Sequence, residues 1–228
     1  MDQTPEDYKR VAAEHALTLV RDGMRIGIGT GSTARYFIEG MGRLVGQGMS
    51  LRGLPTSELS AELARSADVP LLDASDACLD LAVDGADEVD PELRLIKGRG
   101  GALLREKLVA SAADRFVVIV DETKLVDRLG RGRLPVEIVP FLWHLTAQRI
   151  EALGLSWELR GGREKPFVTD NGNLILDVRG EGQITDPEAL GARLENQLGV
   201  VEHGLFMGLA RACIVAGPGG LRVLGGLS

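Results

Sequence analysis

Residues 81–107, LAVDGADEVDPELRLIKGRGGALLREK, concentrate groups that could do chemistry. The apolar run Leu81-Ala82-Val83, ended by Asp84-Gly85, predicts a buried strand that runs into a loop. Four carboxylates follow in quick succession: Asp84, Asp87, Glu88 and Asp90. Lys97 comes next, then the glycines Gly98, Gly100 and Gly101, and then a helix with Glu106 about a turn and a half inside it. Acids, one lysine and exposed backbone amides at the carboxyl end of a strand are what an open α/β sheet offers a ligand. The candidate backbone contacts are Gly85 and Ala86 after the strand, and Gly98, Arg99 and Gly100 after the lysine. A calcium loop is the rival for such an acidic cluster. Read from Asp84 it has Ala86 at the third position and Leu95 at the twelfth, which fails the ligand pattern. His15, His144 and His203 are scattered without metal-ligand spacing, so no metal site is expected.

A second reactive stretch lies earlier, at GIGTGST (27–33). Met24–Gly29 predicts a strand, Thr30-Gly31-Ser32-Thr33 a turn, and Ala34 to about Met41 a helix. A helix N-terminus presents free amides and partial positive charge, and the hydroxyls of Ser32 and Thr33 add donors. Together they form a cradle for a phosphate. The glycine spacing is not that of a dinucleotide fingerprint, and no Walker lysine is present. Lys124 ends the strand Arg115–Val120 and shares the carboxyl edge of the sheet with Asp84 and Thr30.

The elements that must position these groups alternate. Thr4-Pro5-Glu6-Asp7 starts a helix that runs to Gly23, with Thr4 as cap and Pro5 at the first helical position. Strands are expected at Leu51–Leu54, Val69–Leu72 and Leu79–Val83, with a helix from Glu58 to Ser66 capped by Ser57. This alternation predicts an α/β fold with a doubly wound, mainly parallel, Rossmann-like sheet. The pattern changes past Gly132. Strands at Leu134–Val139, Trp157–Leu159, Phe167–Thr169, Leu174–Val178 and Val200–Phe206 mix with helices at Leu145–Leu153 and Pro187 to about Leu198. A hairpin turn, Asp170-Asn171-Gly172-Asn173, joins two of them. Residues 133–207 are therefore expected to form a small α+β domain. Residues 1–132 plus 208–228 form the Rossmann-like domain, to which Ala212–Ala216 and Leu221–Leu224 return.

The chain has 228 residues and is 44% hydrophobic but only 4% aromatic, so aliphatic packing must build the core. A net charge of -7 argues against nucleic-acid binding, and an anionic ligand must find a local basic patch. No apolar run is long enough to span a bilayer, and the acidic, polar N-terminus is no signal peptide. Cys78 and Cys213 are expected to be buried thiols in a reducing compartment. A cytoplasmic protein without membrane or nucleic-acid partners follows by elimination.

Six segments in this order and spacing resemble the ribose-5-phosphate isomerases of the A type. They are GIGTGST (27–33), GLPTSE (53–58), DGADEVD (84–90) with KGRGGALLREK (97–107), DETK (121–124), LPVEIVPF (134–141) and TDNGNLILDV (169–178). The resemblance runs from about Tyr8 to Leu224. It implies cofactor- and metal-free interconversion of ribose 5-phosphate and ribulose 5-phosphate, in the non-oxidative pentose phosphate pathway, by a homodimer or homotetramer. Glu106 matches the family's catalytic base, and Asp84, Asp87 and Lys97 its polar active-site residues. Thr30, Gly31, Ser32, Thr33 and Lys124 match substrate and phosphate contacts, and Lys9 matches a further one loosely. Arg99 and Leu104 depart from the family pattern, where glycine and threonine are common.

The implied reaction moves a proton between C1 and C2 through an enediolate. It needs a carboxylate base, groups that open the sugar ring, and positive charge near the developing oxyanion. The helical neighbours of Glu106 at three and four residues are Ala102, Leu103, Val109 and Ala110, none of which forms a helix salt bridge. Such apolar surroundings raise a buried carboxylate's basicity. Lys97 and the amides after it suit the oxyanion. Asp84, directly ending its strand, suits the ring-opening proton, and Asp87 suits orientation of hydroxyls or of Lys97. A sugar-phosphate sensor on the same fold would need an output module, for which the chain has no room, and a deaminase shares the enediolate logic but not the motifs.

Overall fold

A computed structural model describes residues 4–76 and 78–227; residues 1–3 of the polar N-terminal segment lie outside it. In chain order the elements are α1 (Pro5–Leu17), β1 (Arg25–Ile28), α2 (Ser32–Gly46), β2 (Arg52–Pro55), α3 (Glu58–Ser66), β3 (Leu81–Asp84), β4 (Glu88–Val89), β5 (Leu95–Ile96), α4 (Leu103–Ala112) and β6 (Phe116–Asp121). They continue with β7 (Leu134–Ile138), α5 (Trp143–Glu151), β8 (Ser156–Leu159), β9 (Leu174–Arg179), α6 (Pro187–Glu195), β10 (Val200–His203), β11 (Leu205–Phe206), β12 (Ala210–Gly217) and β13 (Gly220–Gly225). Two compact units result. The first comprises Met1–Ala86, Arg105–Lys124 and Gly208–Ser228; the second comprises Asp87–Leu104 and Leu125–Met207.

In the first unit, six strands among the described residues form one sheet in the order β13-β12-β6-β3-β1-β2. All neighbours are parallel except the β12–β13 hairpin. Side chains alternate across a strand, and β1 shows the consequence. Ile26 and Ile28 point into a core with Ala12, Ala16, Phe37 and Met41 from α1 and α2. Gly27 points to the other face, where a Cβ would overlap Val109 of α4. Helices therefore cover both faces, as the doubly wound reading expects. α1 starts as its sequence dictates. The Thr4 hydroxyl accepts from Asp7 N–H at 3.3 Å, and the Asp7 carboxylate accepts from Thr4 N–H at 2.8 Å.

β1 lies between β2 and β3, so the chain leaves β1 toward one side and comes back on the other. That reversal opens a crevice at the carboxyl ends of β1 and β3, where ligands bind in open α/β sheets.

The second unit holds two antiparallel sheets among the described residues, β10-β7-β9-β8 and β11-β5-β4. Its core joins Val136, Ile138, Ala147, Ile150, Leu176, Val178 and Leu194. Trp143 and Trp157 meet edge to face at 5.9 Å.

Several elements depart from expectation. Val69–Leu72 is not a strand: only Leu71 bridges to Gly53, because Pro70 has no N–H to continue a ladder. Phe167–Thr169 likewise makes one bridge, Val168 to Leu174, before Thr169 turns into the hairpin. Val200–Phe206 divides between two sheets at Gly204, whose N–H bonds Pro135 and whose carbonyl accepts from Lys97. α2 begins two residues earlier than expected and continues to Gly46. Cys78 is exposed, not buried, since it lies in the irregular segment before β3; Cys213, inside β12, is buried.

Candidate functional site

The carboxyl edge of the first unit's sheet carries most of the expected groups. Each glycine of GIGTG has a separate reason. Gly27 admits Val109, Gly29 leaves space that a Cβ would take from the Asp84 carboxylate, and Gly31 sits at φ 112° as the residue before α2. Because Gly31 has no side chain to cap α2, the helix begins with open amides at Ser32 and Thr33. Ser32 is exposed and Thr33 half-buried.

Asp84 ends β3 and is 4% exposed. Its Oδ1 accepts the N–H of Thr30 at 3.1 Å and that of Gly85 at 2.7 Å. Gly85 continues toward Thr33: a Cβ on it would reach ordinary contact with the Thr33 side chain, at 4.0 Å. The Thr30 hydroxyl lies at 2.8 Å from the Thr56 hydroxyl and donates to Ser57 Oγ at 2.7 Å; Ser57 Oγ in turn lies 2.8 Å from Ser60 Oγ. Thr56, Ser57 and Ser60 are buried. Sequence reasoning took Ser57 only as a helix cap, and it is one. The signal for more was two hydroxyl residues in the loop after β2 and a third in the first turn of α3, at the same sheet edge as Thr30.

β6 pairs Val118 with Asp84 and then runs three residues further, to Asp121. Lys124 follows in a short 3-10 turn at that edge and is half-buried. The turn is fixed by Asp121, whose Oδ1 accepts from both the N–H and the hydroxyl of Thr123. Lys9 pairs with Glu6 at 3.1 Å, and Glu6 also accepts the Tyr36 hydroxyl at 2.6 Å. That Tyr36 bond, followed by the one from Lys9, holds the Glu6 carboxyl below its usual range.

Glu106 is buried at 5% exposure. It lies in the first turn of α4, earlier than the turn and a half expected, because the helix starts at Leu103. Glu106 and Val109 share a helix face one turn apart. Val109 packs over Gly27 in mid-β1, and a crossover helix runs against its strands. Glu106 is therefore displaced from Gly27 toward the carboxyl ends of the strands. Arg105, next to it, turns outward to Glu58 of α3 at 2.9 Å.

The second unit holds the rest of the acidic loop and the lysine. Asp87 Oδ2 accepts the Arg99 N–H at 3.0 Å. The other two acids hold structure. Glu88, fully buried, accepts from the N–H groups of Gly130, Arg131 and Gly132 at 2.6–3.1 Å and from Arg99 Nη2 at 3.1 Å. Asp90 accepts from Glu92 N–H and Arg94 N–H and pairs with Arg94 Nε at 2.6 Å. The Arg99 guanidinium thus neutralises a buried carboxylate. Lys97 is 2% exposed, its Nζ 5.6 Å from the centre of the Phe206 ring. Gly98 turns the chain at φ 105°, and the exposed Arg99 and Gly100 follow.

Among the described residues one trio, Glu195, Glu202 and His203, brings possible metal ligands within 4.8 Å of one another, a clustering that sequence spacing did not reveal. His203 Nδ1 accepts from Leu205 N–H at 3.2 Å, so its proton sits on Nε2 and faces Glu195 at 3.2 Å. The Nδ1 lone pair is thus engaged by the backbone.

The fold and this edge define a doubly wound α/β protein with a ligand crevice at its topological switch point, furnished with helix-end amides, hydroxyls, acids and a lysine. A profile of "Ribose 5-phosphate isomerase A (phosphoriboisomerase A)" matches residues 52–220. The chain is 54% identical over 220 residues to the ribose-5-phosphate isomerase A of Roseiflexus sp. (strain RS-1), with 94% of each chain covered. It is 45% identical to a probable ribose-5-phosphate isomerase 2 of Arabidopsis thaliana, covering 98% of this chain and 88% of that one. A solved D-ribose-5-phosphate isomerase in complex with phospho-erythronic acid superimposes with a TM-score of 0.93 at 40% identity, covering 98% of this chain and all of that one. The ribose 5-phosphate isomerase A of Methanocaldococcus jannaschii gives a TM-score of 0.92 at 38% identity over 98% of this chain and 100% of its own. The chain belongs to the ribose 5-phosphate isomerase A family.

Proposed function

We propose that this chain interconverts ribose 5-phosphate and ribulose 5-phosphate through an enediolate, with Glu106 as the proton-transfer base and without a metal or cofactor. The observation that carries the reading is the Thr30–Asp84 hydrogen bond at the sheet's switch point, beside a helix whose first amides have no side-chain cap. It stands in a chain about half identical to named isomerases over nearly its whole length. Glu106 takes the proton from C2 of the open-chain aldose and returns it to C1, while the O2 proton passes to O1, which gives the ketose; the reverse path gives the aldose. Asp84 moves the proton that opens the ring, and Asp87 orients hydroxyls. Lys97 and the amides of Gly98 and Gly100 stabilise the enediolate oxygen, and the Arg99 amide holds Asp87 beside them. Gly85 and Ala86 line the sugar through their backbone. Gly31, Ser32, Thr33 and Lys124 hold the phosphate, with Thr30 fixed between them and Asp84. Formation of ribulose 5-phosphate from ribose 5-phosphate in the presence of EDTA tests this. Activity lost in chelator and restored by a divalent ion would contradict it.

Residues 1–132 plus 208–228 are read as the Rossmann-like catalytic domain and residues 133–207 as the smaller α+β domain, although residues 87–104 and 125–132 pack with the second compact unit. The protein is further read as a cytoplasmic homodimer or homotetramer. An exposed, unbridged Cys78 suits a reducing compartment. Phe141 at 80% exposure and Leu198 at 77%, with Val139, Leu142 and Val201, form an apolar patch around the β7–β10 pair of the second unit. Such a patch suits a second copy. Light scattering of the purified protein reads the assembly directly; a monomer at micromolar concentration would contradict it.

A further inference from the structure

Arg160 follows β8 in the second unit, in no segment that resembles a family motif. Its Nε and Nη2 donate to Oδ2 and Oδ1 of Asp177 at 2.9 and 2.5 Å, with both side chains largely buried. A two-point pair fixes the plane of the guanidinium. The remaining nitrogen, Nη1, donates to the carbonyl oxygens of Gly98 at 3.0 Å and Arg99 at 3.1 Å. The Phe167 ring lies 5.7 Å from the guanidinium carbon and fills the space that a Cβ on Gly101 would need. The Phe167 N–H is held by the Arg160 carbonyl at 2.8 Å.

In a trans peptide the C=O and the following N–H point in opposite directions. No described peptide bond of this chain is cis. Pinning the carbonyls of Gly98 and Arg99 therefore turns the N–H groups of Arg99 and Gly100 to the opposite side of the loop. The Arg99 N–H meets Asp87 Oδ2 there. Resting on the reaction proposed above, in which the Gly100 amide faces the enediolate oxygen while the Arg99 amide holds Asp87, we infer that Arg160, held by Asp177, is a positioning residue for catalysis. It orients the two loop amides from behind and does not touch the substrate. A lysine cannot replace it, since an ammonium lacks the planar fork that grips a carboxylate and two carbonyls at once.

Arg160 and Asp177 also line an open surface groove with Arg99, Arg131, Gly132 and Arg133. Removal of the Arg160 side chain therefore leaves an open route for a small planar cation to reach Asp177.

The test compares wild type, Arg160→Ala, Arg160→Lys and Asp177→Asn in ribose 5-phosphate turnover and in hydrogen exchange of the 98–101 amides. Misplaced catalytic groups cost up to about 100-fold in rate, so kcat should fall by about 10- to 100-fold in Arg160→Ala with KM little changed. Arg160→Lys should fall similarly. Methylguanidinium should restore part of kcat to Arg160→Ala and leave Arg160→Lys unmoved, and the loop amides should exchange faster in both. A folded Arg160→Ala with wild-type kcat overturns the inference. Should Arg160→Ala fail to fold, Asp177→Asn decides: lower kcat with faster loop exchange supports the inference, and wild-type values overturn it. A wild type that does not isomerise ribose 5-phosphate sinks the proposed function alone. Loop exchange then decides the clamp, faster in the variants if it exists and unchanged if it does not.

Discussion

The Thr30 N–H donates to Asp84 Oδ1 at 3.1 Å, a hydrogen bond from the loop after β1 to the last residue of the adjacent parallel strand β3. The same oxygen accepts from Gly85, so one carboxylate joins the start of the helix-end cradle to the start of the acidic loop.

Gly29 makes room for that carboxylate, since a Cβ would overlap it. Gly29→Ala should therefore displace Asp84. Overpacking costs about 1–3 kcal/mol of stability, and loss of alignment lowers kcat by up to about 100-fold. Steady-state kinetics with a thermal melt check this; a fully active Gly29→Ala would show that Asp84's position does not matter.

Lys124 is assigned to the phosphate, so Lys124→Ala should act mainly on binding. A lost hydrogen bond to a charged group is worth about 1.5–3 kcal/mol, or roughly tenfold or more in KM for ribose 5-phosphate. An unchanged KM would place the phosphate elsewhere.

The two thiols should behave differently. Burial pushes the Cys213 thiol up to about 12. The thiolate is the reactive form, so Cys213 is inert well into the alkaline range, whereas Cys78 is exposed. Iodoacetamide at pH 8 should label Cys78 alone in the native protein and both cysteines in denaturant. Native labelling of Cys213 would contradict its burial.

Most of the architecture was legible because local signals agreed. Thr4-Pro5, Ser57 and the apolar runs at 81–83 and 116–120 mark element ends and buried strands directly. The short strands misread at 69–72 and 167–169 have the right residue types, but a proline and a turn deny them a ladder. For the site, the motifs gave the sheet-edge residues. What they could not give was which acids are structural. Glu88 and Asp90 look like Asp84 and Asp87 in sequence, and only the structure shows Glu88 held by residues 130–132 and Asp90 by Arg94.

Glu137 makes the same point. Fully buried in β7, its Oε1 accepts from Thr169 Oγ1, Asn171 Nδ2 and Asn173 Nδ2 at 2.9–3.1 Å. The TDNGN segment thus holds a buried acid as well as making a turn. Glu137→Ala removes the acceptor from three donors and should destabilise the protein by about 3 kcal/mol. A melting temperature within experimental error of wild type would contradict that role.

The central claim is that Glu106 moves the proton. Glu106→Gln keeps the shape and removes the basic oxygen. A positioned base contributes about 10²–10⁴-fold, so kcat should fall by that much or more while ribose 5-phosphate still binds. The most direct measurement is exchange of the C2 hydrogen of ribose 5-phosphate in deuterated water, followed by NMR. Wild type should exchange it readily and Glu106→Gln scarcely at all. Exchange by Glu106→Gln at near the wild-type rate would show that another group is the base, with Asp84 the next candidate.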